Sequence, residues 1–514
     1  MTVATLHQRY WAIVEAIEGR YDVAHWRAGD LDLWPLARMD LFLDMMRAEG
    51  SDTAPAPPSF ARRALVSLTT PFTNVWKSRH DLAHYIGWPR RAYAVLLGDG
   101  VSLDHIDGAW HDRYGEPIIA ALEREGRRTL LMQSGNLTRL PWHRPTLAAN
   151  IVSAWGGLAR ATGIGPVPEL PDHAAILDLL AAGGIVAPSL GVARLTRRAR
   201  AAAASASAFE QVLRIARPRI AFVVTWYAGL GPAFALACRR RGIMCVDLQH
   251  CPQEGLHKAY RWSSLPERGY TTLPALFWTW RREDAAHIAG WAATLDRPWH
   301  RSLHGGHTQI AAFFDDADPA TIAWDQVFAA IGGGVEYERE ILIALQPIGG
   351  RRAIWEALAD LIEASPTTWR WWIRRHPAST AAQDGEYARL LALDRPNVVI
   401  EAAGYLPLPA LLRHMSMLLS LESGAAGEAA AFGVPALFLS EAARGPFAGL
   451  IDRGDARVVP IEAVADHISS TPRRSVRPAA SSATPLSVSL RVLDIMVDEH
   501  AALCRAAPVT FRSS

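Results

Sequence analysis

Residues able to do chemistry gather at four short turns of this chain. Gly98-Asp99-Gly100 sets a carboxylate between two glycines, and Gln249-His250 sets an imidazole before a proline-containing loop. Arg374-Arg375-His376-Pro377 sets a second imidazole beside two guanidinium groups, and Glu422-Ser423-Gly424 sets a hydroxyl before an alanine-rich stretch that carries Glu428. A carboxylate such as Asp99 can take the proton from an attacking hydroxyl, worth about 10²–10⁴ in rate. Asp-Gly is equally common turn chemistry. An imidazole at His376 can donate to a departing phosphate oxygen, and losing one such donor typically costs about 10²–10³; a lone histidine often only holds a loop. Arg374 and Arg375 beside it strengthen the phosphate reading, or are a solvated strand end. Ser423-Gly424 before a helix offers free backbone N–H groups, a hydroxyl and close approach for a phosphate, and it is also what a simple N-cap looks like. Glu428, one turn in, can accept hydrogen bonds from a ribose. His250 can touch a ligand or only its own loop.

Each of these turns ends an apolar run, so strands must deliver them. AYAVLL (92–97) leads to Asp99, and IMCVDL (243–248) leads to His250. WRWWI (369–373) leads to His376, and 416–421 leads to Ser423. Further strands are expected at 129–132, 219–225, 275–280, 300–306, 341–346, 397–400 and 435–439. Helical stretches lie between them: 115–125, 230–241 closed by Gly242, about 283–293, and a first helix of the second half with Ile354, Trp355, Leu358, Leu361 and Ile362 on one face. Residues 139–215 are alanine-rich and read as helical with loops. Alternating strand and helix predicts right-handed crossovers and parallel sheets. Polar residues at the carboxyl ends of such strands are where open α/β sheets keep ligands.

The 514 residues exceed one ordinary core, so two or three domains are expected. Half the residues are hydrophobic and a fifth charged, which is globular composition. A net charge of +2 gives no reason to invoke nucleic acid. Nineteen tryptophans, clustered at 278–299 and 369–372, suit core and domain-interface packing. Four cysteines without CxxC spacing speak against a disulfide framework and a zinc site, and fit reduced thiols in the cytoplasm. No run approaches the ~18–20 apolar residues of a membrane span. Asp30-Leu31-Asp32 mimics a metal-binding DxD but sits at a helix start, where acidic residues complement the dipole. No residue pattern calls for a metal. His257, His300, His304 and His307 lack metal-ligand spacing with carboxylates and read as loop residues.

At these turns the chain resembles GT-B glycosyltransferases of bacterial capsule and surface-polysaccharide biosynthesis. The likeness is to the HP-motif branch, which includes bacterial sialyltransferases and Kdo transferases. RRHP (374–377) fits the HP motif, LESGAAGEAAAFGVPALFL (421–439) fits the second-domain segment, and VDLQHCPQEGLHKAY (246–260) is similar to a capsule-protein LQHG segment. Departures are Gly98-Asp99 in place of an acidic pair, a single Ser423 in place of a Ser/Thr pair, and Cys251 in place of a glycine. The SG…GEA…GxP run also looks like UDP-N-acetylglucosamine 2-epimerases.

The resemblance implies two facing Rossmann-like domains with a cleft between them and an extra helical N-terminal region. The expected division is a helical region 1–90, a first, acceptor-side domain 91–309, a linker 310–338 around Gly332-Gly333-Gly334, a nucleotide-sugar domain 339–480, and a C-terminal helix 481–514. The implied activity is transfer of a sugar from a CMP- or NDP-linked donor to a polysaccharide or glycolipid acceptor. The nucleotide sugar is a co-substrate, with no further cofactor. Asp99 is the implied base, His376 assists the leaving phosphate and His250 stands by, while Arg374, Arg375, Pro377, Ser423, Gly424 and Glu428 hold the donor. An epimerase, or a GT-B-shaped scaffold without turnover, is the alternative. Cytoplasmic placement is expected, with room for peripheral association at the inner membrane or with other polysaccharide-assembly proteins.

Overall fold

The computed structural model describes residues 6–48, 91–471 and 486–506, apart from 107, 136–138, 142, 252, 254, 347–349, 377, 378 and 380–383. Pro377 lies outside the described residues.

Buried parallel strands read as near-continuous apolar runs because both faces are covered, and the first domain is built on such runs. Its strands are β1 (Ala94–Gly98), β4 (Thr129–Gln133), β5 (Thr146–Ala148), β6 (Ile220–Val224), β7 (Met244–Leu248), β8 (Leu276–Thr279) and β9 (Arg301–His304), with β2 (Leu103–Ile106) and β3 (Ala109–Asp112) forming a separate antiparallel hairpin. The seven-stranded sheet runs β9-β8-β7-β6-β1-β4-β5, every pair parallel. From β1 the chain winds one way through β4 and β5, then the other way through β6 to β9. The topological switch point therefore lies between β1 and β6.

The second domain repeats the plan. Its strands are β10 (Arg339–Ala344), β11 (Trp369–Arg374), β12 (Val398–Val399), β13 (Met417–Ser420), β14 (Ala436–Phe438) and β15 (Ala456–Val458). They run β12-β11-β10-β13-β14-β15, all parallel, with the switch point between β10 and β13. Trp371 and Trp372 are fully buried on opposite faces of this sheet, in separate apolar clusters.

Helices cover both sheets. α1 (Leu6–Arg20) and α2 (Trp34–Ala48) join the large core beneath the first sheet. α3 (Glu116–Arg124) lies on the opposite face. α4 (Asn150–Thr162), α5 (Val192–Ala216) and α6 (Gly231–Arg240) pack side by side. The stretch expected to be a linker holds α7 (Pro319–Gly332), started by Pro319 and capped by Asp318, whose carboxylate accepts from Ala320 N (2.9 Å) and Thr321 N (3.1 Å). Its Trp324 and Phe328 are buried in the second-domain core. α8 (Arg352–Ala364) and α9 (Ala425–Ala431) belong to the second domain. α10 (Leu486–Ala506) returns to the first: Leu490, Leu493, Met496 and Val497 enter its core, and Arg127 pairs with Asp494 at 2.9 Å.

The N-terminal helices also brace the loop that follows β7. Arg38 and Glu18, 1% and 0% exposed, pair at 2.9 Å. Arg38 Nη2 donates to the carbonyls of Lys258 (2.9 Å) and Arg261 (2.6 Å), and Trp11 Nε1 donates to Leu256 O (2.7 Å). Asp30-Leu31-Asp32 serves the same bracing. Asp32 accepts from Thr271 N at 2.6 Å and pairs with Arg268, and Asp30 pairs with Arg240 at 2.6 Å. With those oxygens committed, the DxD resemblance is structural.

The two sheets face each other through their strand carboxyl ends, the GT-B arrangement. Arg281 reaches Gly427 O (3.5 Å), Leu256 N donates to Gly445 O (3.2 Å), and Ile106 of the β2–β3 hairpin packs on the second-domain core. Among the described residues, no helix is long and apolar enough to cross a membrane.

Candidate active site in the interdomain cleft

At the first switch point β1 ends in Gly98-Asp99-Gly100. Gly100 has φ +75°, a conformation glycine adopts without strain, and a Cβ there would collide with the Ser134 carbonyl. The turn is therefore held hard against the end of β4. Asp99 Oδ1 accepts from Val101 N (2.8 Å) and Ser102 N (2.7 Å), and Oδ2 accepts from Ser102 Oγ (2.8 Å) and Thr225 Oγ1 (3.2 Å). The turn-forming reading of Asp99 is thus realised, with two amides and two hydroxyls on its carboxylate. Thr225, at the end of β6, has φ 58°, a strained value for a β-branched residue. Beneath the turn, Gly100 N donates to Gln133 Oε1 (3.0 Å), Gln133 donates to Asp112, and Asp112 also accepts from Gly115 N (2.7 Å). Burial pushes the Asp112 carboxyl up to about 7, and the charge of Asp99 adds to the rise.

His250 follows β7. Gln249 anchors the turn through Asp284 (2.9 Å) and Trp280 N (2.5 Å). His250 Nε2 lies 3.1 Å from Tyr227 Oη, and Tyr114 Oη donates to the His250 carbonyl at 3.2 Å. Cys251 Sγ lies 3.6 Å from His250 Nε2 and 3.6 Å from His257 Nε2. Burial draws the His250 imidazole down to about 4, and the Lys258 charge helps, against an opposing pull from Asp99. Burial likewise lowers Lys258, whose ammonium lies over the Phe42 and Tyr227 rings at 4.9 and 5.6 Å.

Of the histidines expected in loops, His257, His300 and His307 lie outside helices and strands, and His304 ends a strand. His300 is buried between Pro274 O (2.8 Å) and Tyr270 N (3.1 Å), His304 lies in β9, and His307 stacks on Trp280 at 3.9 Å.

In the second domain, Gln346 Oε1 accepts from Glu422 N (2.6 Å) across the switch point. The Ser423 turn corrects one expectation. Four of its amides are engaged locally: Ser423 N donates to Ser420 Oγ (3.3 Å), Ala425 N to Ser423 Oγ (3.3 Å), Ala426 N to Ser423 O (3.1 Å) and Gly427 N to Gly424 O (2.9 Å). The Ser423 hydroxyl works as a local cap, and Gly424 is the residue preceding α9. Glu428 is 3% exposed, so no ribose reaches it in this conformation. Burial pushes its carboxyl up to about 7, Asp104 adds to that, and the charges of Arg113 and Arg374 oppose it.

Arg374 is buried, donating to Ala403 O and Leu406 O, both at 2.5 Å, and it braces the strand end from below. Arg375 is exposed and turns toward Asp384 and Glu401, each 3.9 Å away. His376 is half-buried. Burial draws its imidazole down to about 4, Arg113 and Arg374 add to the shift, and Asp99 opposes it. A first-domain carboxylate thus acts on a second-domain imidazole.

Asp99, His250 and His376 therefore share one electrostatic neighbourhood, as do Glu428 and Arg374. Arg375 is directed elsewhere. Sequence reasoning missed Arg113, which pairs with Asp104 at 2.7 Å and acts on Glu428, Arg374 and His376. It also missed Thr225, Tyr227 and the facing of Lys258 with Glu422, two groups that each shift the other's titration. Thr225-Trp226-Tyr227 directly after an apolar strand was the available signal. Among the described residues one cluster has metal-ligand spacing, His111, Glu116 and His143. Arg144 donates to Glu116 Oε1 and to His143 Nε2, placing a guanidinium charge against the cluster.

No protein-family model matches the chain, and no curated protein sequence matches it. Among solved structures, it is similar to UDP-GlcNAc 2-epimerase from Neisseria meningitidis bound to UDP-GlcNAc, with 14% identity over 79% of this chain and 100% of that one, at a TM-score of 0.48. It is similar to UDP-GlcNAc 2-epimerase from Methanocaldococcus jannaschii, with 14% identity over 79% and 99% at 0.47. It is also similar to the glycosyltransferase SnogD from Streptomyces nogalater, with 14% identity over 80% and 95% at 0.39. These are similarities only; the fold assignment rests on the two strand orders.

Proposed function

We propose that this chain is an enzyme that binds a nucleotide sugar in the interdomain cleft and transfers its sugar to an acceptor hydroxyl. The observation that carries the reading is the alignment of two switch points across one cleft, with Asp99 directly after β1 and His376 shortly after β11. Asp99 is the proposed base. A carboxylate offers about four lone-pair sites, and here two amides and two hydroxyls fill them. An acceptor hydroxyl enters by displacing Ser102 Oγ or Thr225 Oγ1, and its proton passes to Oδ2. The acceptor oxygen then attacks the anomeric carbon while the bond to the nucleotide phosphate breaks. His376, drawn down to about 4, is neutral at pH 7 and assists the leaving oxygen as a hydrogen-bond donor rather than as a cation. Lys258 supplies positive charge on the facing side, and Arg374 holds the strand end that carries His376. Ser423 and Gly424 border the donor, and Glu428 lies behind them. The test is transfer from CMP- and NDP-sugars by wild type, Asp99→Asn and His376→Ala. Both variants should still melt cooperatively, Asp99→Asn at a lower temperature because its carboxylate hydrogen bonds are weakened, and both should lose at least 100-fold in turnover. Wild-type rates in both would overturn the site.

A second reading is epimerisation of UDP-N-acetylglucosamine. Two buried carboxyls near the cleft, Asp112 and Glu428, are poised near 7, the range suited to moving a proton at neutral pH. Epimerised product formed with no acceptor present would favour it.

A further inference from the structure

A cavity of about 670 Å³ opens in the first domain beside the Asp99 turn, between α2, α4, α5 and the start of α6. Five arginines line it, Arg47, Arg160, Arg194, Arg197 and Arg198, against one carboxylate, Asp40. Arg198 faces Asp40 at 3.5 Å, and Arg47 pairs with Asp44 at 3.3 Å. Arg160, Arg194 and Arg197 form no ion pair within 4 Å among the described residues, although Arg194 shares the charge of Asp40 with Arg198 and Arg47. Arg194, Arg197 and Arg198 fall at helical spacing on one face of α5, with Ala201, Ala202 and Ser205 continuing it. Like charges at that spacing destabilise a helix, so the face is built at a cost that a bound anion would offset. The other lining agrees. Ser189 is buried with no hydrogen-bond partner for its hydroxyl among the described residues. Gly229 and Leu230 bring the positive end of α6 to the wall.

The location ties the cavity to the cleft. Ser134 follows β4 and Gly229 lies in the loop after β6, the two strands that flank β1. The Gly100 turn packs directly on the Ser134 backbone. The cavity wall and the Asp99 turn are therefore two sides of one loop contact.

We propose that this cavity is an acceptor subsite for an anionic group, phosphate or carboxylate, carried by the molecule whose hydroxyl is glycosylated. It rests on the reading that the first domain takes the acceptor. Guanidinium forks match both anions in paired hydrogen bonds.

Calorimetric titration of the full chain with inorganic pyrophosphate and with an oligogalacturonate tests it, using wild type, Arg194→Gln/Arg197→Gln and the control Arg128→Gln. Arg194, Arg197 and Arg128 are all exposed, so the control should melt as wild type does and the double variant no lower. At least one probe should bind wild type and the control equally and bind the double variant about 100-fold more weakly, at about tenfold per arginine. Pyrophosphate alone behaving so assigns a phosphate, and oligogalacturonate alone assigns a carboxylate. The inference is overturned if neither probe binds, if the double variant binds as wild type does, or if the control loses as much. Thermal shift with CMP and UDP on the same proteins tests the transferase reading separately. Anion binding in the cavity without any nucleotide shift would sink that reading and leave an anion site. Transfer that proceeds unchanged in the double variant would sink the cavity inference alone.

Discussion

The Thr225 hydroxyl donates to Asp99 Oδ2 over 3.2 Å, across the switch point of the first sheet. One strand turns away after β1 and another after β6, and this bond closes the crevice they leave. Gln346 and Glu422 close the matching crevice of the second sheet at 2.6 Å. In open α/β sheets these crevices are where ligands sit.

The Thr225 contact yields a first prediction. Thr225→Val keeps the branched shape and removes the donor, and a hydrogen bond to a charged group is worth about 1.5–3 kcal/mol. If an acceptor hydroxyl replaces this donor during reaction, Thr225→Val should bind acceptor as well as or better than wild type and keep turnover within about tenfold. Asp99→Asn should lose at least 100-fold. Steady-state kinetics with varied acceptor separates the two, and equal losses in both variants would refute the displacement step.

Glu428 sets a pH dependence. Its carboxyl stands near 7 in the fold, above its ordinary 4.5. The stability it contributes is complete below pH 4.5 and is lost as pH rises through 7. Glu428→Gln should remove that loss and stabilise the protein at pH 8 by up to about 3 kcal/mol, with little effect at pH 4.5. Urea melts at the two pH values measure it.

The histidines work in the opposite direction. His250 and His376 stand near 4, below their ordinary 6.5. Their contribution is complete above pH 6.5 and is lost as pH falls through 4. His376→Gln should therefore reduce the stability lost between pH 7 and pH 4.5 by about 2 kcal/mol. An unchanged acid slope in denaturant melts would contradict the burial assigned to this ring.

Arg38 and Glu18 are predicted to matter for the loop that carries His250 and Lys258. Removing one partner of a buried pair strands the other charge and costs about 3–5 kcal/mol. Glu18→Gln should lower the melting temperature and speed amide exchange across 256–262, where Arg38 holds two carbonyls. Exchange unchanged there would mean that the N-terminal helices do not brace the loop.

The strands were legible where burial on both faces leaves an unbroken apolar run, as in Ile220–Val224 and Trp369–Arg374. The β2–β3 hairpin was not, because LDHI and AWHD are half polar and only partly buried. β5 and β15 are three residues each, too short for a period to register. α7 escaped because strand period was sought there, although Asp318-Pro319 is a helix-start pair. The switch points follow from strand order, which depends on long-range pairing. So does the meeting of Arg113 with Glu428, which no local pattern encodes. At Ser423 the sequence showed a hydroxyl before a helix, and only coordinates show that the hydroxyl caps its own turn.

The central claim is that a nucleotide sugar binds between Asp99 and His376 and is turned over there. The most direct measurement follows melting and sugar release with CMP- and UDP-sugars for wild type, Asp99→Asn and His376→Ala. A ligand that binds only the folded state raises its stability by mass action. The account predicts that one nucleotide sugar raises the wild-type melt, still does so in Asp99→Asn without turnover, and does so weakly in His376→Ala. The contrary result is the absence of any shift in wild type, or a shift and turnover of the same size in all three proteins.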